Sequence, residues 1–83
     1  MMERAQELGT LLSREEGEPL AEGQGEVYRA GQFFTCYAAE TLRQMGETAE
    51  SAREGIEIDV RCEAVGVVAI ISPWNFPSAT ASL

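Results

Sequence analysis

The stretch Ala64-Val65-Gly66-Val67-Val68-Ala69-Ile70-Ile71-Ser72-Pro73-Trp74-Asn75-Phe76-Pro77 decides how the rest of the chain is interpreted. Its first eight residues are apolar without alternation, which predicts a strand over residues 64–72 that is buried on both faces, as in a parallel α/β sheet. The strand stops at a proline, and a second proline follows Trp74 and Asn75, so the backbone around these two residues is restricted. Residues 73–83 are predicted to form a loop and the first turns of a helix.

A strand that is covered on both faces needs neighbouring strands and helices. The sequence contains only one such strand, and the predicted helix that follows it would be the crossover helix of a βαβ unit. We therefore expect these residues to be a piece of a larger α/β protein.

The residues before this strand change from a helical period to a period of two. Over residues 56–63, Ile, Val and Cys alternate with Glu, Asp and Arg, which predicts an extension strand with one wet face. Residues 47–55 are polar and are predicted to be a connection. Residues 3–46 are predicted to form a helical hairpin. Its first helix covers residues 3–16, with Leu8, Leu11 and Leu12 on one face.

Gly17 is predicted to end the first helix and Pro19 to lie in the first turn of the second, which would continue to Met45. The predicted apolar stripe of the second helix includes Leu20, Val27, Gly31 and Phe34.

The composition excludes several classes of function. The chain has 83 residues, 14 of them acidic and 6 basic, for a net charge of −8. This balance disfavours binding to nucleic acids or anionic membranes, which depends on Lys and Arg. The absence of His removes a Ser-His-Asp triad and the usual Cys/His zinc site, and we predict no metal site.

The cysteines and apolar runs bear on location. Cys36 and Cys62 do not share a C-x-x-C spacing and are predicted to be small buried hydrophobic residues rather than redox or metal-binding groups. The start of the chain lacks the apolar core of a signal peptide, and the longest apolar run is far below the roughly 18 residues of a membrane span. We expect a cytoplasmic protein without a membrane segment.

Asn75 is the residue with the clearest chemical potential. It follows the carboxyl end of the predicted buried strand, where α/β sheets bind ligands. Its amide could donate a hydrogen bond to an oxyanion, or its side chain could cap the following helix. The local sequence by itself favours the cap, and it favours a packing role for Trp74.

The quoted stretch resembles the P-V-G-V-V-x-x-I-x-P-W-N-F-P segment of the aldehyde dehydrogenase superfamily. Upstream, Glu16-Gly17-Glu18-Pro19-Leu20-Ala21-Glu22 resembles that family's E-x-G-K-P-L-x-E turn. Gly25-Glu26-Val27 and residues 33–40 are similar to the branch that oxidises semialdehydes such as succinate semialdehyde or 2-oxoglutarate semialdehyde.

The resemblance implies oxidation of an aldehyde to an acid with NAD or NADP as cofactor. It implies that backbone groups of Ile71, Ser72, Pro73 and Trp74 line the dinucleotide site and that Asn75 supplies an oxyanion-hole side chain. The implied fold is α/β, part of a Rossmann-like coenzyme domain with two N-terminal helices, an extended strand, a buried strand and the start of a helix. The family also implies a homo-oligomer, with the extension strand used in subunit association.

Several family features are missing from these residues. Glu18 stands where the family has Lys, and neither Cys36 nor Cys62 matches the nucleophile position. The nucleophilic Cys and the general-base Glu of the family lie beyond the P-W-N-F-P segment, so we expect an N-terminal fragment that is inactive alone. The alternative is a non-enzymatic, acidic helix-strand interaction module, although such a module has no reason to keep residues 72–77.

Overall fold

The computed structural model describes all 83 residues and shows a helical pair, a β-hairpin, an irregular segment and a short final helix. With three helices and one two-stranded sheet, the chain is a small α/β fragment. After a single 3₁₀ turn at Met2–Arg4, the elements are α1 (Ala5–Glu16), α2 (Leu20–Glu40), β1 (Glu47–Glu50), β2 (Glu57–Val60) and α3 (Pro77–Ser82).

The joint between α1 and α2 forms where the sequence predicts it. Gly17 has a φ of 85°, in the left-handed region that favours glycine, and its N–H donates to the carbonyl of Ser13 at 2.9 Å. Pro19 directly precedes α2, and its carbonyl accepts from the N–H groups of Glu22 and Gly23. The chain therefore reverses within three residues, which brings the two helices side by side.

The buried face of α2 is made mostly of small residues. Its members recur at helical spacing and are Gly23, Glu26, Val27, Ala30 and Gly31. Opposite them, α1 buries Ala5, Gly9 and Leu12. The predicted stripe is right at Val27 and Gly31 but wrong at Leu20 and Phe34, which are about half exposed. Both residues lie on nearly the same face as Val27, but outside the stretch from Gly23 to Gly31 that is buried. They are exposed because α1, with 12 residues, covers only part of the 21 residues of α2.

The closest approach is at Gly9 and Gly23. A Cβ atom on Gly9 would overlap the backbone of Gln24. A Cβ atom on Gly23 would lie 2.7 Å from the carbonyl oxygen of Gly9 and 2.7 Å from Oγ of Ser13. Both distances are shorter than ordinary van der Waals contact, so neither glycine can gain a side chain unless the helices move apart.

Two alanine substitutions test this contact. In the complete natural polypeptide that contains these residues, Gly23→Ala is expected to lower the free energy of unfolding by about 1–3 kcal/mol through overpacking. Gly25→Ala, two residues along the same helix and facing open space, is expected to raise it by about 0.5–1 kcal/mol. Urea denaturation measures both values. If both substitutions changed the free energy of unfolding equally and in the same direction, the close approach at Gly23 would not contribute to stability.

Helix α2 ends at Glu40 rather than at Met45. The amides of Leu42 and Arg43 donate to Ala39 and Glu40, so the hydrogen bonds here span three residues instead of four. All residues from 41 to 46 are exposed. Exposure alone does not end the helix, because residues 34–40 are exposed as well and remain helical. After the last turn the chain leads into β1.

The hairpin differs from the prediction in its first strand. Residues 47–50 pair antiparallel with residues 57–60, with Glu47 opposite Val60 and Ala49 opposite Ile58. The predicted connection over 47–55 therefore contains β1, whose sequence Glu-Thr-Ala-Glu has no apolar alternation to reveal it. Strand β2 lies within the predicted extension strand, but both strands are exposed because nothing covers either face of the hairpin.

Residues 64–71 form no strand in this structure, which corrects the predicted buried strand within these 83 residues. The segment is irregular and exposed, with a φ of 100° at Gly66 and with Val67 and Ile71 fully accessible. Residues 64–75 make no backbone–backbone hydrogen bond. The physical reason is the absence of partners, because a strand exists only through bonds to a neighbour and no other segment pairs with this one.

The two cysteines differ from the prediction. Cys36 and Cys62 are free and exposed, so the prediction that they are buried is wrong. Cys36 lies on the part of α2 beyond its contact with α1, and Cys62 follows β2 in the uncovered part of the chain.

None of the helices combines the length and the apolar character that a membrane crossing requires.

Candidate functional site

Asn75 lies in the turn that leads into α3. Pro77 is the first residue of this helix, a position that proline favours, and Phe76 occupies the N-cap position without a side-chain capping bond. The side chain of Asn75 is exposed and makes no hydrogen bond. The hypothesis that Asn75 caps the helix is therefore wrong for this structure, and its amide is uncommitted.

Glu26 of α2 takes the capping role instead. Its Oε1 accepts the N–H of Ser78 at 2.7 Å and the N–H of Ala79 at 2.9 Å. The residue is only 6% exposed, and a carboxylate is stabilised at a helix N-terminus both by these bonds and by the helix dipole. Glu26 therefore ties α3, and with it the loop that carries Asn75, to the helical pair.

Glu26 was not among the residues expected from the sequence to have a functional role. The available signal is its position, because it lies on the same face as Gly23 and Val27, a stripe that otherwise contains only small and apolar residues. A charged side chain in such a stripe is almost never buried without a partner. That partner is the N-terminus of α3, which lies 52 residues along the chain and which periodicity cannot identify.

Ile71, Ser72 and Pro73 lie in the irregular segment that precedes the turn, and Trp74 lies in the turn itself. None of the four makes a backbone–backbone hydrogen bond, so their C=O groups, and the N–H groups of all but Pro73, are free to bind an external molecule. Trp74 is 83% exposed, and no cavity is lined by residues 71–75. The segment thus has the free backbone that a dinucleotide site needs, but these 83 residues do not enclose a dinucleotide.

A cavity of 480 Å³ lies next to this segment, between α2 and α3. Glu26 and Arg29 line it from α2, and Phe76 and Ala79 line it from the turn and α3. Its walls come from the same two elements that the Glu26 hydrogen bonds join. Asn75 is adjacent in sequence to a wall residue but does not face the cavity.

Three carboxylates meet at the joint between α1 and α2. Glu16, Glu18 and Glu26 each place one carboxylate oxygen within 4.8 Å of the others. Burial and the nearby charges of Glu16, Glu26 and Glu22 raise the pKa of the Glu18 carboxyl. No metal ligands were expected here from the sequence. The signal for the cluster was Glu18, an acid where the family resemblance expects a lysine.

Comparison with known proteins gives one family for the whole chain. The family model described as "Aldehyde dehydrogenase family" matches residues 1–83. The chain is 40% identical over 79 residues to "Succinate-semialdehyde dehydrogenase [NADP(+)] 1" of Schizosaccharomyces pombe. It is 39% identical over 79 residues to a succinate-semialdehyde dehydrogenase [NADP(+)] of Escherichia coli and 38% identical to a glutarate-semialdehyde dehydrogenase of Pseudomonas putida.

These alignments are unequal in coverage. Each of the three includes 95% of this chain but only 16% of the relative, so the chain spans about one sixth of the length of the curated proteins it matches. No solved structure gives a significant match.

Proposed function

The chain belongs to the aldehyde dehydrogenase family, and on that premise we propose that it contributes to an enzyme that oxidises an aldehyde to a carboxylic acid with NAD or NADP. The observation that carries the proposal is the Ser72–Pro77 segment. In it Asn75 is exposed and bonded to nothing, while the cap of the next helix comes from Glu26. An amide with no structural partner is available for chemistry.

We assign to Asn75 the stabilisation of an oxyanion. When a nucleophile adds to an aldehyde, the carbonyl oxygen becomes negatively charged, and a fixed amide N–H lowers the energy of that state. The two hydrogen bonds from α3 to Glu26 fix the helix that follows the turn, which limits how far the amide can move. The nucleophile and the general base are not among these 83 residues in the proposal, since neither cysteine matches the family's position.

The dinucleotide is proposed to bind along Ile71, Ser72, Pro73 and Trp74. When bound, the nicotinamide ring supplies a hydride acceptor for the aldehyde carbon. The residues of this chain contribute backbone groups that are not bonded to other backbone groups. The rest of the enclosure would come from outside the segment, where residues 64–72 would also gain strand partners in a Rossmann-like sheet.

Assembly and location follow the same family premise. Ile56, Ile58 and Val60 are each about half exposed on the uncovered hairpin, which fits an extension that associates with another subunit of a homo-oligomer. The two free thiols fit a reducing compartment, so we propose the cytoplasm as the location.

The proposed substrates are short dicarboxylic semialdehydes, because the relatives at 38–40% identity carry succinate-semialdehyde and glutarate-semialdehyde in their names. The test is to mix the complete natural polypeptide with succinate semialdehyde or glutarate semialdehyde and with NAD or NADP, and to follow reduced nicotinamide by absorbance. Butyraldehyde is the control, since it lacks the second carboxylate. We expect kcat/KM for the semialdehydes to exceed that for butyraldehyde by at least about tenfold, equivalent to about 1.4 kcal/mol. Failure to reduce either nucleotide with any aldehyde would refute the proposal.

A further inference from the structure

We propose that Glu16, Glu18 and Glu26, together with Oγ of Ser13, form a binding site for a divalent cation of the Ca²⁺ class at the joint between α1 and α2. The proposal does not depend on aldehyde oxidation. It rests on the arrangement of oxygen atoms at the point where the chain passes from one helix to the next.

The spacing of the carboxylates suits a single ion. One oxygen from each residue lies within 4.8 Å of the other two. Ca²⁺ binds oxygen at about 2.3–2.6 Å, so two ligands of the same ion can be at most about 5 Å apart. Small movements of these side chains would therefore let all three carboxylates bind one ion.

A second observation comes from Glu26, the most buried member. The residue is 6% exposed, and its Oε2 is buried without a hydrogen-bond partner, although Oε1 binds the N–H groups at the start of α3. A buried carboxylate oxygen with no donor is unfavourable, because it has lost its hydrogen bonds to water and gained none in exchange. Two amide donors satisfy one side of this carboxylate, and a cation would satisfy the other.

Three other oxygens of the site also lack a hydrogen-bond donor. Oε1 of Glu16, Oε1 of Glu18 and Oγ of Ser13 are buried, and none has a hydrogen-bond partner while both carboxyls are ionised. A proton shared between Glu16 and Glu18 would join these two carboxyls, and a bound cation would take its place. Oγ of Ser13 and Oε1 of Glu18 both lie 2.7 Å from the position that a Cβ atom of Gly23 would occupy. The glycine therefore leaves room for a serine oxygen from α1 and a glutamate oxygen from the joint to come together.

The donor set indicates which cation fits. All the donors are oxygen, and carboxylate and hydroxyl oxygens suit hard cations rather than zinc or copper. Ca²⁺ tolerates irregular geometry, whereas Mg²⁺ requires a near-ideal octahedron. Since the ligands come from two helices and the joint between them, we expect Ca²⁺ to bind more tightly than Mg²⁺.

Calorimetric titration of the complete natural polypeptide with CaCl₂, without nucleotide, tests the site. We expect one ion per chain with a Kd between about 10⁻⁵ and 10⁻³ M. Glu18→Gln removes one ligand charge at nearly constant shape and is expected to weaken binding by at least about tenfold. Glu22→Gln is the matched control. It removes the same charge from an exposed position in the first turn of α2 and is expected to change Kd by less than about threefold.

A second variant provides an independent measurement. Glu18→Lys replaces the cation with a fixed positive charge, so the melting temperature without Ca²⁺ should rise and Ca²⁺ should no longer raise it further. The unmodified polypeptide should show a rise with millimolar Ca²⁺. The proposal is overturned if the unmodified polypeptide binds no Ca²⁺ at millimolar concentration. It is equally overturned if Glu18→Gln binds Ca²⁺ normally or if Glu22→Gln loses as much affinity as Glu18→Gln.

Discussion

Asn75→Ala is expected to lower kcat of the complete polypeptide by roughly 100- to 1000-fold, the usual effect of losing one oxyanion-hole donor. The physical reason is specific to the transition state, because the amide binds a charge that the ground-state aldehyde does not carry. The KM for NAD or NADP should change little, since the proposed contacts to the dinucleotide are made by the backbone of residues 71–74. Steady-state kinetics with a semialdehyde measures both quantities.

The structure also predicts what this substitution leaves unchanged. Asn75 makes no hydrogen bond and does not cap α3, so the free energy of unfolding of Asn75→Ala should stay within about 0.5 kcal/mol of the parent. Thr80→Ala is a suitable control, because Thr80 is an exposed residue of the same helix with no side-chain hydrogen bond, and it should keep normal kcat. A loss of activity accompanied by an equal loss of stability in Asn75→Ala would indicate a structural role.

The 83 residues expressed alone are expected to show no aldehyde oxidation and to self-associate. Their radius of gyration is 19.3 Å, whereas a compact domain of this length has about 12 Å. Only 9 of the 83 residues are buried, and Val65, Val67 and Ile71 expose nearly all of their surface. A dinucleotide and a substrate need a largely enclosing site, and the exposed apolar segment with unpaired backbone is typical of sequences that associate.

Two measurements check this expectation. Purified segment incubated with NAD or NADP and a semialdehyde should produce reduced nicotinamide no faster than buffer does. Size-exclusion chromatography should show species larger than a monomer, and amide exchange across residues 64–71 should be fast in any monomer that remains. Steady turnover would contradict the catalytic part, and a sharp monomer peak with slow exchange over 64–71 would contradict the structural part.

Local signals in the sequence were enough to predict the helical pair. Gly17 and Pro19 mark the joint by their own backbone preferences, so no distant residue is needed to place it. The predicted face of α1 is right at Leu12 and in part at Leu8, but it is wrong at Leu11, which is 53% exposed. The end of α2 was less predictable. Its apolar spacing continues to Met45, but the helix stops at Glu40, and its last residues from 34 to 40 are already exposed.

Features that depend on distant contacts could not be predicted in this way. The pairing of β1 with β2 involves a strand without apolar alternation, and the cap of α3 by Glu26 joins residues 52 positions apart. The apolar run at 64–71 shows the opposite case. Its composition favours a buried strand, but burial requires neighbours, and within these residues there are none.

The candidate site was partly visible in the sequence. The family resemblance singled out Asn75, while local propensity favoured a helix cap, and the structure removes the cap by assigning that role to Glu26. The carboxylate cluster was missed because Glu16 and Glu18 look like ordinary charged residues of a turn. Only the return of α2 past α1 brings them next to Glu26.

The most direct test of the account is kcat of Asn75→Asp, measured together with the melting temperature. Aspartate has nearly the same shape as asparagine and caps helices equally well, but it would place a negative charge against the developing oxyanion. The account predicts that kcat falls at least as far as in Asn75→Ala while the melting temperature stays close to that of the parent. Near-normal kcat in Asn75→Asp would contradict the proposed catalytic role of this residue.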